Sequence, residues 1–506
     1  MIPKTNSGSK SGINKKTGEM RRNIYSLILT IIIFTISIQC STSETTLPDP
    51  PIENPDPDSD PDPEPTPKGD IITISGNLRQ EINLGIDAER LWFWRSYIKD
   101  EVARLSVSEM KSHFVRVAIP CDYEREEGVL KPDAYDMIRE MMNAMKNANP
   151  EIKFFASPRP LQEAYSEEER ATIWGNNSVP WSPYPRWIQE WDENGTKVVD
   201  GIVVTQWEKG AFHVDKLVRY YADYLNLMKS EGFDITYLDL SNEQTIITPA
   251  HAKYIKDNLP AKLNAGINMP LLIAPSTWSV EGGINWLDAI NTANGEQDGF
   301  DIASVHNTGG TGSFSEFVNK ANTCGKEAWN TEMHAWVGME LKQEILTSEI
   351  LWEHMRAGFN AIDTWLFFGN YAGRDHSMLW IHPNNGQIIK TGKYKIFKKL
   401  VNNANGGRYV DISTTPGLLT AAFIKDAVLS VWILNKDKDG AANTIIKLPD
   451  NWEMLNNTIE VIYWNADATT NEGNNSTTTM TEKNKFHSNL MGESLYFFRM
   501  NVKSDK

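Results

Sequence analysis

Two glutamates stand where a carboxylate is costly. Glu243, in "LDLSNEQT" (238–245), closes an apolar run behind Asn242, and Glu332 lies inside "AWNTEMHAW" (328–336). An ionised carboxylate in apolar surroundings is unfavourable unless it is paired or put to use. Two carboxyl groups that share one gap can divide labour. Proximity raises the pKa of one, which stays protonated as an acid, and the other remains ionised as nucleophile or base. Arg116, in "HFVRVAIP" (113–120), would help keep Glu332 ionised. Each residue also has a plainer reading. An Asn–Glu pair after a strand makes a good helix start, and Glu332 alone could be an ordinary loop acid. His306, in "SVHN", fits a hydrogen-bonded core histidine as well as a ligand contact.

For the two glutamates to meet, the chain must carry them to neighbouring strand ends. After residue 70, short apolar runs alternate with helical patterns. "EINLGI" (81–86), "HFVRVAIP" (113–120), "IKFFASP" (152–158), "ITYLDLSNE" (235–243), "PLLIAPST" (270–277), "DIASVHN" (301–307), "EAWNTEMH" (327–334) and "AIDTWLFFG" (361–369) read as strands. Helical spacing marks 132–147, a segment from Val214 to Met228, 249–258, 283–292, 313–323 and a long 340–358. Strands buried on both faces and alternating with helices imply a parallel sheet, and eight such units close into a (β/α)8 TIM barrel. Functional residues of such barrels lie at the C-terminal strand ends. Arg116 near the end of the second strand, Glu243 after the fourth, His306 on the sixth and Glu332 on the seventh match that rule.

From about 405 the texture changes. "YVDIST", "LLTAAFI", "AVLSVWILN", "NTIIKLP", "TIEVIYWNA" and "SLYFFRM" are strands divided by Gly, Asn and Asp turns, which predicts a C-terminal antiparallel β-sandwich domain over 405–506. "DIITISG" (70–76) can add a strand to it, and "TTNEGNNSTTTMTEKN" (469–484) reads as an exposed loop.

The order of motifs resembles clan A glycoside hydrolases, and most closely family 30. "FVRVAIPCDYE" is similar to that family's second-strand motif, "SNEQ" to its fourth-strand Asn–Glu, and "SVHN" to its sixth-strand His-Trp-Tyr, here without the Trp-Tyr. "FFASP" and "WSPYPRW" (181–187) look like its third-strand motif, interrupted by an insertion, and "NTEMH" falls where its nucleophile strand belongs. The resemblance covers roughly 70–500 and implies a barrel (70–404) with a side β-sandwich. It implies a retaining β-glycoside hydrolase acting by double displacement, with Glu243 as acid/base and Glu332 as nucleophile. Carboxyl groups about 5–5.5 Å apart permit direct attack and retention. Asn242 would then bind the sugar 2-hydroxyl and His306 a sugar hydroxyl. Trp365, at the end of the eighth strand, would floor the catalytic subsite or simply pack in the core. Trp174, Trp181 and Trp187, in the long third loop, could stack on sugar rings. Arg374, in "GNYAGRDHS", could pair with an acidic or sulfated substituent or be merely solvated. The long aromatic loop favours endo action on a polysaccharide or oligosaccharide.

The N-terminus supplies an address. "RRNIYSLILTIIIFTISIQC" has two arginines, a mostly apolar run too short for a comfortable bilayer span, and then Cys40. The ending resembles a lipobox, so 1–40 is expected to be a lipoprotein signal peptide with Cys40 the lipidated residue, and Met20 could be the true start. An uncleaved anchor is the alternative. The segment 48–67 has seven acids and no base with alternating prolines, so 41–69 reads as an extended linker. Together these point to a lipid-anchored protein of the bacterial outer membrane or cell surface, or of the periplasmic side. Net charge is −16 over 506 residues, and no clustered Lys and Arg mark a nucleic-acid surface. Cys121 and Cys324, the other two of three cysteines, are expected as free thiols, with one disulfide between them the alternative. There is no CxxC or zinc spacing, so neither metal nor organic cofactor is expected. Two rival classes remain open to test: a surface glycan-binding lipoprotein on a hydrolase-like barrel, and a barrel enzyme of other chemistry. The second needs a Schiff-base Lys or a His/Asp metal cluster, and neither stands out.

Overall fold

The computed structural model describes residues 69–504 except 90–95, 125, 160–183, 189–195, 200–201, 206–212, 244–246, 335–339, 371–376, 383 and 466–471. The signal segment with Cys40, the Pro–Asp linker, Trp174, Trp181 and Arg374 therefore lie outside the described residues. No helix among the described residues is long and apolar enough to cross a membrane.

Eight parallel strands close into a barrel. In chain order they are β1 (Asn83–Asp87), β2 (Phe114–Pro120), β3 (Lys153–Arg159), β4 (Ile235–Asp239), β5 (Leu271–Thr277), β6 (Ile302–His306), β7 (Glu327–Met333) and β8 (Ala361–Thr364). All eight of the predicted strands form, and β8 closes the ring on β1 with Ala361 opposite Asn83. The predicted helices at Val214–Ser230, Pro249–Asn258 and Phe314–Thr323 form at their expected places. Four features depart from the expected helices. The helix expected at 283–292 is Val280–Asp288, because the Ser279 side chain caps it three residues earlier by accepting from the Gly282 N–H. The long helix expected over 340–358 is two, Leu341–Thr347 and Glu349–Ala357, meeting at Ser348. A short helix at Lys99–Ala103, continuing as a π-helical turn over Arg104–Glu109, follows β1, and Gly392–Ala404 follows β8. Neither was expected from the spacing.

The barrel floor is a layer of inward rings. Phe114, Phe155, Tyr237, Ile273, Ile302, Trp329 and Ala361 form a separate buried cluster, one residue from each strand but β1. Phe114 stacks on Trp329 at 5.2 Å between centroids, and Tyr237 leans on the same indole at 4.9 Å. The position on β1 facing this layer is Gly85, where a Cβ would fall inside the Phe114 ring.

The second body is a ten-stranded, mostly antiparallel sheet. Ile71–Glu81 joins it, antiparallel to Arg408–Ile412 and parallel to Ala441–Lys447, so one strand from before the barrel is built into the C-terminal sheet. The path doubles over into a sandwich: Phe486, from its last strand Lys485–Leu490, packs at 5.4 Å on Phe498 of the third. The run expected as a loop over 469–484 contains a strand, Asn474–Thr479, paired with Thr458–Trp464. It is an edge strand with little burial, so no apolar alternation betrays it. The sandwich meets the barrel where Trp352 of Glu349–Ala357 stacks on Trp432 at 5.0 Å and Arg356 donates to the Ile412 and Thr420 carbonyls.

The floor layer yields a test. Gly85→Ala should lower stability by about 1–3 kcal/mol through overpacking against Phe114, read as a fall in the thermal midpoint. A midpoint equal to wild type would mean that the Phe114–Trp329 stack can yield.

Candidate active site

Six of the eight barrel strands step from the floor layer to chemistry at intervals of two residues. Phe114 leads to Arg116, Phe155 to Ser157 and Arg159, Tyr237 to Asp239, Ile302 to Ser304 and His306, Ala361 to Asp363 and Trp365, and Gly85 to Asp87 and Glu89. A strand's side chains alternate between faces, so these residues share the barrel interior with the floor. On β7 the same count from Trp329 would turn Glu332 outward. A register shift between Asn330 and Glu332 breaks the alternation there, and Glu332 joins the interior cluster.

Arg116 is the hub of that cluster. Its side chain is fully buried. Nη1 donates to Glu332 Oε2 at 2.6 Å and to Asp87 Oδ2 at 3.0 Å. Nη2 donates to Asn242 Oδ1 at 2.6 Å and to Ser157 Oγ at 2.9 Å, and lies 3.3 Å from Glu89 Oε1. Ser157 passes the pattern on by donating to Asp239 Oδ2 at 2.9 Å, while Asp239 Oδ1 accepts the Ser241 N–H at 3.1 Å. Arg159 pairs with Glu89.

Glu243 and Glu332 converge. His306 Nδ1 is 3.0 Å from Glu243 Oε1 and 3.9 Å from Glu332 Oε2, and oxygens of the two glutamates lie within 4.8 Å of one another and of that nitrogen. Both face one gap at the C-terminal mouth, with their side chains about nine-tenths buried. Among the described residues the Asn–Glu pair caps no helix: the next one described, Pro249–Asn258, is capped by Thr248. Instead Asn242 and Glu243 have φ of 38° and 68°, left-handed values uncommon for such residues. The Glu243 N–H is tied to the Ser276 carbonyl at 2.7 Å, and Ser276 itself has φ 47°. Strain gathered at two adjoining strand ends is a frequent mark of a functional site.

The electrostatics separate the acids. Burial alone would raise the Glu332 pKa, but Arg116, His306 and His334 outweigh it and hold the carboxyl well below its usual range. Burial pushes Asp363 well above the usual range, with Asp87 adding to it against the pull of Arg116. Burial likewise lifts Glu89 to about 7 against Arg116 and Arg159, and Asp87 rises for the same reason. Asp87, Glu89, Glu332 and Asp363 share two guanidinium groups, so full ionisation would leave unpaired buried charge. The charge concentrates on Glu332 and the proton on Asp363, whose two oxygens find no hydrogen-bond partner among the described residues. His306 is raised above its ordinary value: burial opposes this, and Glu332 and Glu243 prevail.

A second layer, absent from the sequence reading, fixes Glu332. The Glu332 N–H donates to Asn330 Oδ1 at 3.1 Å, and His334 Nε2 lies 3.2 Å from Glu332 Oε1. Asn330 Nδ2 contacts Asn307 Oδ1 at 3.0 Å and His354 Nε2 at 2.9 Å. Asn307 in turn clamps the His334 backbone through both its amide atoms. The His354 ring can accept from Asn330 only when neutral, and burial pushes its pKa down to about 4. Trp365 is 8% exposed and stacks on His334 at 4.3 Å, which places it beside the nucleophile candidate. Of the third-loop tryptophans only Trp187 is described: it donates to the Glu124 carbonyl at 2.7 Å and carries Arg219 over its ring at 4.7 Å, so it packs below Arg219. Cys324 is a free thiol. Two donor sets, Glu243 with His306 and Glu332, and Asp87 with Glu89 and Glu332, are close enough to hold a cation. Glu332 belongs to both, and its Oε2 already has the Arg116 guanidinium at hydrogen-bond distance.

No family model matches the chain, and no curated protein sequence matches it. Solved structures do. A GH30 endoxylanase from Clostridium papyrosolvens C71 aligns with a TM-score of 0.62 at 15% identity, covering 85% of this chain and 99% of that one. An endo-β1,6-glucanase aligns at 0.56 and 14%, covering 86% and 96%. A GH39 β-xylosidase from Caulobacter crescentus aligns at 0.51 and 12%, covering 85% and 99%. The structural neighbours are thus family 30 and other clan A glycoside hydrolases, and at these identities the likeness is one of fold: a TIM barrel with a side β-sandwich.

The charge assignment can be checked on the folded protein. Arg116→Met should cost roughly 3–5 kcal/mol, because it strands several buried carboxyls. Asp363→Asn replaces one neutral group by another of nearly the same shape, and should melt within about 1 kcal/mol of wild type. If Asp363→Asn proves as damaging as Arg116→Met, Asp363 is ionised and the assignment fails.

Proposed function

We propose that this protein is a retaining β-glycoside hydrolase acting on a polysaccharide or oligosaccharide. The observation that carries the proposal is the approach of Glu243 and Glu332 to within 4.8 Å at one gap, close to the spacing of about 5–5.5 Å that direct attack requires. Neighbouring folds named as xylanases and a glucanase support it.

In this mechanism Glu332 attacks the anomeric carbon. Its ionised state is secured by Arg116 and His334, and its orientation by Asn330. Glu243 gives a proton to the departing glycosidic oxygen, and a glycosyl ester forms on Glu332. Glu243, now ionised, takes a proton from water as that water opens the ester, and the net configuration is kept. His306 Nδ1, between the two, stabilises negative charge as it shifts from one glutamate to the other. Asn242, held through Oδ1 by Arg116, is positioned for the sugar 2-hydroxyl, and Trp365 floors the same subsite. Trp181 and Arg374 remain candidates for outer sugar contacts. Export and a lipid anchor at Cys40 complete the proposal, which would place the enzyme at a bacterial surface; the ground for both is the sequence of residues 21–40.

A panel of β-linked glucans, xylans, galactans and fucosides, read by reducing ends and by NMR of the first-formed anomer, tests the reaction. Retention with at least one glycan is expected; binding of a glycan without release of sugar would leave the non-catalytic surface protein. Glu243→Gln should lower kcat by about 10²–10⁴-fold, least for substrates with an acidic leaving group. Glu332→Ala should abolish turnover, with partial return on adding azide.

The pH profile follows from the depressed Glu332 pKa. A carboxyl depressed in the folded protein contributes stability above its unfolded value of about 4.3, and loses it as pH falls through the folded value. The acid limb of kcat/KM due to Glu332 therefore lies below about pH 4.3. His334→Ala removes a hydrogen bond that favours the carboxylate, and should move that limb to higher pH. An unmoved limb would detach His334 from the nucleophile. Palmitate labelling in a bacterial host, lost in Cys40→Ala, checks the anchor; labelling that survives the substitution would exclude it.

A further inference from the structure

Trp278 is 51% exposed, the one tryptophan among the large exposed apolar residues described. Leaving an indole half in water forfeits much of what its burial would contribute. It is also rigidly mounted. Trp278 follows the last residue of β5, and its carbonyl accepts the Gly309 N–H at 3.0 Å. On one side Thr277 Oγ1 donates to the Ser279 carbonyl at 2.8 Å, and on the other Ser279 caps Val280–Asp288. The loop after β6 is shaped around the ring. A Cβ on Gly309 would come within 2.8 Å of Trp278 Cδ1 and 3.2 Å of Nε1, so the pyrrole edge rests on bare backbone while about half of the residue stays in water.

Its position decides what it could face. The Glu243 backbone is tied to Ser276, two residues before Trp278. Asn307, two residues before Gly309, holds the His334 backbone beside Glu332. The corner formed by Trp278 and Gly309 therefore adjoins the mouth on the flank of Glu243. Given the proposed roles, on which this inference rests, Glu243 protonates the leaving oxygen, so the departing sugars lie on that flank.

We propose that Trp278 is an aromatic platform for a pyranose ring of the leaving-group chain. A β-linked pyranose with equatorial hydroxyls has an apolar face of axial C–H bonds that suits the electron-rich face of an indole. The hydroxyls at its edge stay solvated. A rigid mount means that little conformational freedom is lost on binding. The substrate class is then a β-linked chain that continues past the cleaved bond on its reducing side.

The test is the substrate-length dependence of Trp278→Ala and Trp278→Phe in the full protein. With xylohexaose, cellohexaose and β-1,6-glucohexaose as probes, Trp278→Ala should lose about tenfold in kcat/KM on the hexasaccharide that is cleaved, through KM rather than kcat. The loss should shrink as leaving-side sugars are removed, and Trp278→Phe should recover most of it. Added to Glu332→Gln protein, at least one probe should shift tryptophan emission, and the shift should vanish in Trp278→Ala/Glu332→Gln. A loss independent of chain length, no loss, or no Trp278-dependent shift with any probe overturns the inference. So does a change of sedimenting mass in Trp278→Ala with unaltered kinetics, which would make the ring a contact between copies. Failure of the wild-type protein to cleave any glycan is a different result, and sinks the hydrolase proposal instead.

Discussion

The buried guanidinium of Arg116 is the constraint from which the rest of the barrel mouth follows. A charge fully removed from water is tolerated only if it is hydrogen-bonded and answered by opposite charge. Arg116 is answered from β1 by Asp87 and Glu89, from β3 by Ser157, from beyond β4 by Asn242 and from β7 by Glu332. One side chain thus pins five residues from four places around the ring. Moving any of those strands by one residue would turn its partner away and leave a charge unmet. The hub therefore enforces barrel register as well as serving chemistry, and the apolar floor beneath it, stacked on Trp329, seals its lower side from water.

The charges are unevenly matched by design of composition rather than geometry. Asp87, Glu89, Glu332 and Asp363 outnumber Arg116 and Arg159, and the surplus must be carried as protons. Where the protons go is set by neighbours. Glu332 has a guanidinium at 2.6 Å and a histidine on its other oxygen, while Asp363 has no donor among the described residues. The same burial penalty thus yields an anion at one position and a neutral acid at another.

Much of this arrangement was legible in the sequence, and what was not has identifiable reasons. The eight strands showed themselves by apolar runs, and Glu243, Glu332, Arg116 and His306 stood out as polar chemistry at or beside strand ends. Asp87, Ser157, Asp239 and Asp363 did not, because each looks like the polar close of an apolar strand. Counting by two from the inward aromatic on the same strand would have found them. Glu332 would have been turned outward by that count, since the shift after Asn330 has no signature in "AWNTEM". The supporting layer of Asn307, Asn330, His334 and His354 draws on β6, β7 and the helix after β7, and no single local pattern contains it. The edge strand Asn474–Thr479 was hidden for a plainer reason: Thr and Asn exposed on both faces look like a loop.

The two glutamates answer to different surroundings, and that difference supports giving them different roles. Glu332 is gripped at both oxygens and at its backbone, with its supports reaching back to His354 on a helix. Glu243 has His306 as its one ion-pair partner among the described residues, and its backbone is held in a left-handed turn by a single bond to β5. A nucleophile gains from fixed aim and a secured charge. A group that must give up a proton and later take one back gains from a neighbour, such as an imidazole, whose own charge can adjust. The asymmetry is therefore in the mounting of the two groups, before any substrate arrives, and the strain at Asn242 and Glu243 is what places the less tightly held carboxyl across the gap from the fixed one.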